Sequence, residues 1–348
     1  MLKLSTSSVQ AAAVKQPVGC SEEALVESIN ALSDASEALY SACADVEEVS
    51  TVLANLEMCA KGIKAGGLTK QTIAAFNSEG ELSACVGQEC LTVAGLESLG
   101  EDKVKELSAT YSAGLEGKMA EYWNKFVAFL KNLWVKVKNW FGTLFQNRAR
   151  WVKRLDGYQI SQSLSFNKDK TLVSLDLGQI QAMVTLAGQI ATKVDEFSRK
   201  TGTAESIPDD FAKFDEEAKK LMDVKPTEHK LSELAPSAAN LSRARTLYKT
   251  QAMDKKIQNA ATSIDKAMKL LIDEAGKAGS LEGEAATAKK EEVNKKRAAM
   301  DAALKACRIE NSLIMKAGSA LDKLLKAATT EDSKQTKVEP EKKEEPKK

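Results

Sequence analysis

The chain has 348 residues, with 50 lysines and arginines against 49 acids and a net charge of +1. It is 43% hydrophobic and 28% charged but only 5% aromatic, with six prolines and one histidine. That composition favours helices packed through small residues over a β-sandwich. It also leaves a histidine-based triad, general base or zinc site almost no raw material.

The single histidine, His229, lies in the Lys-rich stretch KPTEHK and is expected to be a solvated loop residue. No window of about 20 residues is apolar enough to span a bilayer. The first 20 residues lack the continuous apolar stretch of a signal peptide. Cys20, Cys43, Cys59, Cys85, Cys90 and Cys307 form no CxxC pair. They are expected to be buried thiols in a reducing compartment, with neither disulfides nor a metal.

The near-zero net charge hides an asymmetry. Residues 1–116 hold 17 acids and seven lysines, with no arginine, a net −10; the remainder carries +11. Residues 119–155 set eight basic side chains against Glu121 alone. Such a split suggests self-neutralisation or a polyanionic partner.

In chain order, Leu25, Ile29, Leu32, Leu39, Ala42, Val46, Val49, Leu53 and Leu56 recur at three, four or seven and predict a helix over 22–63. Ser21 serves as its cap and Gly66-Gly67 as its stop. A second acidic helix is expected at about 69–94, making a hairpin with the first, followed by a less ordered stretch to residue 118. Residues 121–155 then predict a basic amphipathic helix of about 30 residues. It holds all four tryptophans, Trp123, Trp134, Trp140 and Trp151, with Gly142 as its weak point.

Alternation at Val173, Leu175 and Leu177 suggests a short β-hairpin turning at Asn167–Lys170. Helices are expected at 178–200 and, after Pro208, at 209–223. Pro226 and Pro236 bracket a loop. One long helix is expected through 241–271, a glycine-marked turn at 276–283, and a return helix through 300–324. The tail from 331, with six acids and six lysines, is expected to be disordered.

The fold class is therefore mainly α. An acidic N-terminal hairpin (1–116) precedes a basic aromatic helix (117–156), a mixed middle segment (157–230) and a C-terminal antiparallel helical hairpin (231–330).

The basic helix admits three readings. Its apolar stripe packs on another helix and its lysines are simply the wet face. Alternatively, Trp123, Trp134, Trp140 and Trp151 adsorb to a membrane surface. In the third, Lys125, Lys131, Lys136, Lys138, Arg148, Arg150, Lys153 and Arg154 meet nucleic-acid phosphates. No base-reading motif is present, so DNA contact would be non-specific. There is no phosphate loop, nucleophile elbow or kinase signature, and no cofactor or small-molecule substrate is expected. A short string repeats: Gly95-Leu96-Glu97 before Ser98, and Gly114-Leu115-Glu116 before Gly117. The second copy lies where acidic composition gives way to basic.

The order of these features resembles the internal head, or inner-body, proteins of large contractile-tailed bacteriophages. The resemblance rests on Gly66-Gly67-Leu68-Thr69 leading into Lys70–Asn77, then Leu96-Glu97-Ser98-Leu99-Gly100, then Ala109-Thr110 through Leu115-Glu116, and the Trp/Phe/Lys helix after them. It spans roughly residues 22–180. It implies a non-enzymatic virion protein packed in the head with the genome, beside capsid or other internal head proteins, and made in the host cytoplasm.

It further implies an acidic propeptide cut by a prohead protease after a small-x-Glu or Leu-x-Glu site. Glu116 before Gly117 is the first choice and Glu97 before Ser98 the second. Ala35-Ser36-Glu37 also fits, but inside a predicted helix. Ejection with the genome, with membrane contact at the host envelope, is a further step the resemblance allows. A membrane-active helical protein and a cytoplasmic helical scaffold are the alternatives.

Overall fold

A computed structural model describes residues 20–70, 73, 100–160, 171–200, 207–234, 237–279 and 283–335. Among them the chain is mainly helical, as expected, with one two-stranded sheet.

Helix α1 (Glu22–Gly66) begins where the sequence places it. The Ser21 hydroxyl accepts from the Ala24 N–H at 3.1 Å, and Glu22 and Glu23 stand against the positive helix end. Gly67 closes it at φ +70°, a conformation that suits glycine, and donates to Ile63 O at 2.8 Å. Helix α2 (Glu101–Asp156) is 56 residues, about 84 Å at 1.5 Å per residue. It starts well before the expected basic helix and runs through Gly117 and Gly142 unbroken. The stretch expected to be less ordered is helical from Glu101, because Val104, Leu107, Tyr111 and Leu115 continue the helical spacing and pack on the far end of α1.

The two helices form an antiparallel pair. In α1 the buried positions 25, 28, 32, 35, 39, 42, 46, 49 and 53 alternate in threes and fours. In α2 the buried positions 123, 126, 130, 133, 137, 140, 144, 147, 151 and 154 do the same. This is the heptad seam of a coiled coil. Two polar seam residues meet, Asn147 Nδ2 donating to Ser28 Oγ at 2.8 Å, which fixes register. Trp140 Nε1 donates to Ser36 Oγ at 3.1 Å one step along. The partner of α1 is thus α2. The second acidic helix expected at 69–94 lies almost wholly outside the described residues.

The rest of the chain wraps the other side of α2. Strand β1 (Thr171–Ser174) pairs antiparallel with β2 (Thr227–Lys230), Thr171 opposite Lys230 and Ser174 opposite Thr227. The expected local hairpin turns at Asn167–Lys170, which lie outside the described residues; the described partner of β1 lies more than 50 residues away, which alternation alone could not name. His229 sits in β2 rather than in a loop.

Helix α3 (Leu177–Ser198) opens on a capping box, with Asp176 Oδ1 accepting from Gln179 N at 2.7 Å. Helix α4 (Asp210–Asp223) follows, and after β2 a single turn, α5 (Leu231–Leu234). The long helix expected at 241–271 is two, α6 (Ala238–Ala252) and α7 (Lys255–Gly279). The Asp254 carboxylate accepts from Lys256 N at 2.9 Å and starts a new helix there. Helix α8 (Gly283–Gln335) returns antiparallel to α7 and continues to 335, past the start of the expected disordered tail; residues 336–348 are outside the described ones.

The main core joins α3, α6, α7, α8, α1 up to Leu53 and α2 from Trp123. A second, smaller cluster is separate: Leu56, Cys59, Ala60, Ile63, Leu68, Ile73, Tyr111 and Leu115 form a tip at the far end of the α1–α2 pair.

Candidate nucleic-acid interface and processing segment

Burial divides the predicted contact residues of α2 into two groups. Trp123, Trp140 and Trp151 are core residues, each at most 4% exposed. Trp123 Nε1 donates to Ala275 O at 2.8 Å across to α7. Trp134 is half-buried at the rim, donating to Asp265 Oδ1 at 2.8 Å. The apolar stripe is therefore filled by α1 and α7, and three of the four tryptophans offered to a membrane are buried in that packing.

Two of the arginines are core residues as well. Arg148, 1% exposed, pairs with fully buried Glu310 of α8 and reaches Asn311 Oδ1 at 3.3 Å. Burial pushes the Glu310 carboxyl up, and Arg148 opposes that shift. Arg154 holds Asp322 with two hydrogen bonds, of 2.7 and 3.1 Å, and Tyr158 OH donates to the same carboxylate at 2.8 Å. Arg150 is half-buried and donates to Ala24 O at 3.0 Å. Arg148 and Arg154 are thus corrected from DNA contacts to structural ion pairs. A charge on the buried seam is tolerated only when paired, and the sequence carries no mark of the distant partner.

The lysines remain in solvent. Lys125, Lys131, Lys138 and Lys153 are exposed and Lys136 is half-buried. Lys125 and Lys118 both bind Glu121, each at 3.0 Å, and hold its carboxyl below the usual range. Lys138 lies 4.8 Å from the Trp134 ring centre, with Lys269 of α7 at 5.5 Å. Lys266 is exposed on α7 too. Sequence reasoning missed Lys269, because only the antiparallel packing of α7 on α2 brings it to the Trp134 ring with Lys138. Glu310 was missed as well. Its signal was a carboxylate between Cys307 and Ile314, on an otherwise apolar helical spacing.

The first-choice processing segment lies inside α2. Leu115 is fully buried in the tip, whereas Glu116 and Gly117 are exposed and Gly114 is half-buried. Glu116 pairs with Lys64 of α1 at 2.9 Å. The boundary expected between 116 and 117 is therefore a point within a continuous helix. Gly95, Leu96, Glu97 and Ser98 lie outside the described residues. Ala35 is buried and Ser36 is bonded to Trp140.

Cys59 and Cys307 are buried and Cys20 and Cys43 half-buried, and none of these four is in a disulfide. Burial raises the Cys43 thiol to about 11 and Cys307 further still. Among the described residues no group of three His, Cys, Asp or Glu side chains could hold a metal ion. No helix among them is long and apolar enough to cross a membrane.

These features define a long-helix bundle with one main core, a smaller cluster at its tip and exposed lysines along α2 and α7. A family model for phiKZ-like phage internal head proteins matches residues 21–251, about two thirds of the chain. The chain belongs to that family, and is a virion structural protein of the phage head interior. The match starts at the α1 cap and stops at the end of α6, so the acidic helix is part of the family unit. No curated protein and no solved structure matches the chain.

Proposed function

We propose that this internal head protein is packed against the phage genome and contacts it without sequence preference through the lysine face of α2 and α7. The observation that carries this is the sorting of α2: three of its four tryptophans are core, while Lys138 and Lys269 lie over the half-buried Trp134 ring and Lys131 and Lys266 are exposed on the same two helices. Lysines on helices supply point charges that neutralise phosphates and displace counterions. Each engaged phosphate steepens the fall of log affinity with log salt by about 0.9. Titrating duplex DNA at several salt concentrations tests this. Lys131→Glu with Lys138→Glu should flatten the slope by about two and weaken binding equally on unrelated sequences. A slope unchanged by that pair, or no binding at low salt, removes the reading.

The same proposal has the chain made as a precursor and cut by a prohead protease, before Gly117 or before Ser98. Its supports are the family, the two Gly-Leu-Glu strings and the charge asymmetry. A cut before Gly117 requires the tip to open, since a protease needs an extended strand and Leu115 is buried in a helix. The N-terminus and intact mass of the protein from phage heads decide it. A chain starting at Gly117 or Ser98 supports maturation, and one starting at Met1 ends that part of the proposal. In this proposal the protein leaves the head with the genome and reaches the host envelope only afterwards.

A further inference from the structure

The acidic helix is a built part of the bundle, and the forces that hold it are not those its charge suggests. Residues 22–66 carry nine acids and two lysines. Yet the ion pairs described between α1 and the rest of the molecule are wet. Glu22 lies 4.0 Å from Arg154 and 3.6 Å from Lys326, Lys61 lies 3.9 Å from Glu291, and Lys64 lies 2.9 Å from Glu116. Each has at least one partner more than half exposed, and pairs of that kind contribute little. Against them stands an apolar seam of Leu25, Leu32, Leu39, Val46, Val49 and Leu53, set in the main core with Trp140 and the rest of α2. The Ser28–Asn147 and Ser36–Trp140 hydrogen bonds lock its register.

We propose that a single cut between the seam of α1 and the main seam of α2, which begins at Trp123, does not release α1. The body of the protein is a receptor for its own acidic helix, held through the heptad seam, and the cut chain persists as a tight two-piece complex. This deepens the maturation reading and rests on it for its biological setting. Cutting alone then leaves the net charge of the particle near +1. The step to a strongly basic body needs a second event that strips or digests α1.

The test uses the full chain with a recognition sequence for a specific protease inserted after Glu97. The purified protein is cut, then run by gel filtration in 0.1 M and in 1 M NaCl. The expected result is co-elution of both pieces at the position of the uncut chain in both buffers. At 1 M salt the Debye length is about 3 Å and charge attraction is screened. Loss of the acidic piece only at 1 M would make α1 a charge mask and overturn the proposal, and loss in both buffers overturns it too. A second measurement mixes cut protein carrying a labelled acidic piece with unlabelled cut protein and follows exchange. Leu39→Ala should speed exchange at least about thirtyfold, the lower end for a buried leucine; an unchanged rate overturns the seam as the holding force. The inserted site makes these outcomes independent of where, or whether, a phage protease cuts.

Discussion

The α1–α2 pair passes through two environments, and their difference is instructive. From Leu25 to Leu53 of α1 the seam is part of the main core, with α7 and α8 packed on α2 beside it and α3 reached through them. From Leu56 onward the same two helices continue, with the same spacing and similar side chains, into a tip that forms a cluster of its own. Local sequence quality is alike in both. What differs is how many other elements share the burial, and that sets how independently each part can open. The tip also holds Gly114 and Gly117, poor helix formers one turn apart, beside the expected cut.

The strongest way to break this comparison is to attack the main core where it is most constrained. Glu310→Ala leaves Arg148 buried and unpaired, and should cost about 3–5 kcal/mol in urea unfolding. The pair Arg148→Met with Glu310→Leu should recover most of that loss, because apolar residues of similar volume need no counter-charge. If the single variant is nearly silent, the buried pair is not the constraint described.

Matched truncations sharpen the contrast. Leu39→Ala and Leu115→Ala each remove a fully buried leucine, at about 2–5 kcal/mol locally. Hydrogen exchange should show Leu39→Ala lowering protection in both α2 and α3. Leu115→Ala should lower it in residues 104–119 and leave α3 unchanged. Equal loss everywhere would mean that tip and core open as one unit.

Glycine replacement offers a smaller effect of opposite sign. Gly117 and Gly142 both have open space where a Cβ would stand. Gly117→Ala should stabilise the tip helix by about 1 kcal/mol and slow its exchange roughly fivefold. Gly142→Ala should instead appear as a higher midpoint for global unfolding.

The last prediction concerns pH at the α1–α8 contact. Burial raises the Asp301 carboxyl to about 6, from an ordinary value of 3.8, with Arg297 opposing and Glu47 adding to the rise. The folded state then holds this proton more tightly than the unfolded state, so stability falls as pH climbs from about 4 to about 6. A third of the Asp301 side chain still meets water, which reduces the penalty to the order of 1 kcal/mol. Asp301→Asn should therefore raise the thermal midpoint at pH 8 and leave it unchanged near pH 4.

Much of the fold was legible in the sequence. Ser21, Gly67 and the leucine spacing define α1 because caps and periodicity are local chemistry. The C-terminal hairpin was legible for the same reason, save the break at Asp254, where one short side chain outweighs a continuous apolar stripe. The candidate site was legible only by half. The lysines of α2 kept their expected exposure, whereas Arg148, Arg154 and three of the four tryptophans went inside. Periodicity says that a stripe will be covered. It does not say that the cover reaches the arginines at its end, because their partners, Glu310 and Asp322, are more than 160 residues away.

The sequence by itself determined a helical protein with an acidic N-terminal part, a basic aromatic helix and the features of an internal head protein. Those follow from composition, spacing and short motifs, which are properties of neighbours along the chain. Only the tertiary structure decided that the acidic helix is a seam partner of the basic one, that β1 pairs with a strand far downstream, and that Glu116 lies within an unbroken helix. Each of those depends on which surfaces meet. That choice is made by register, by the few polar side chains that must find a partner when buried, and by the total area that folding removes from water.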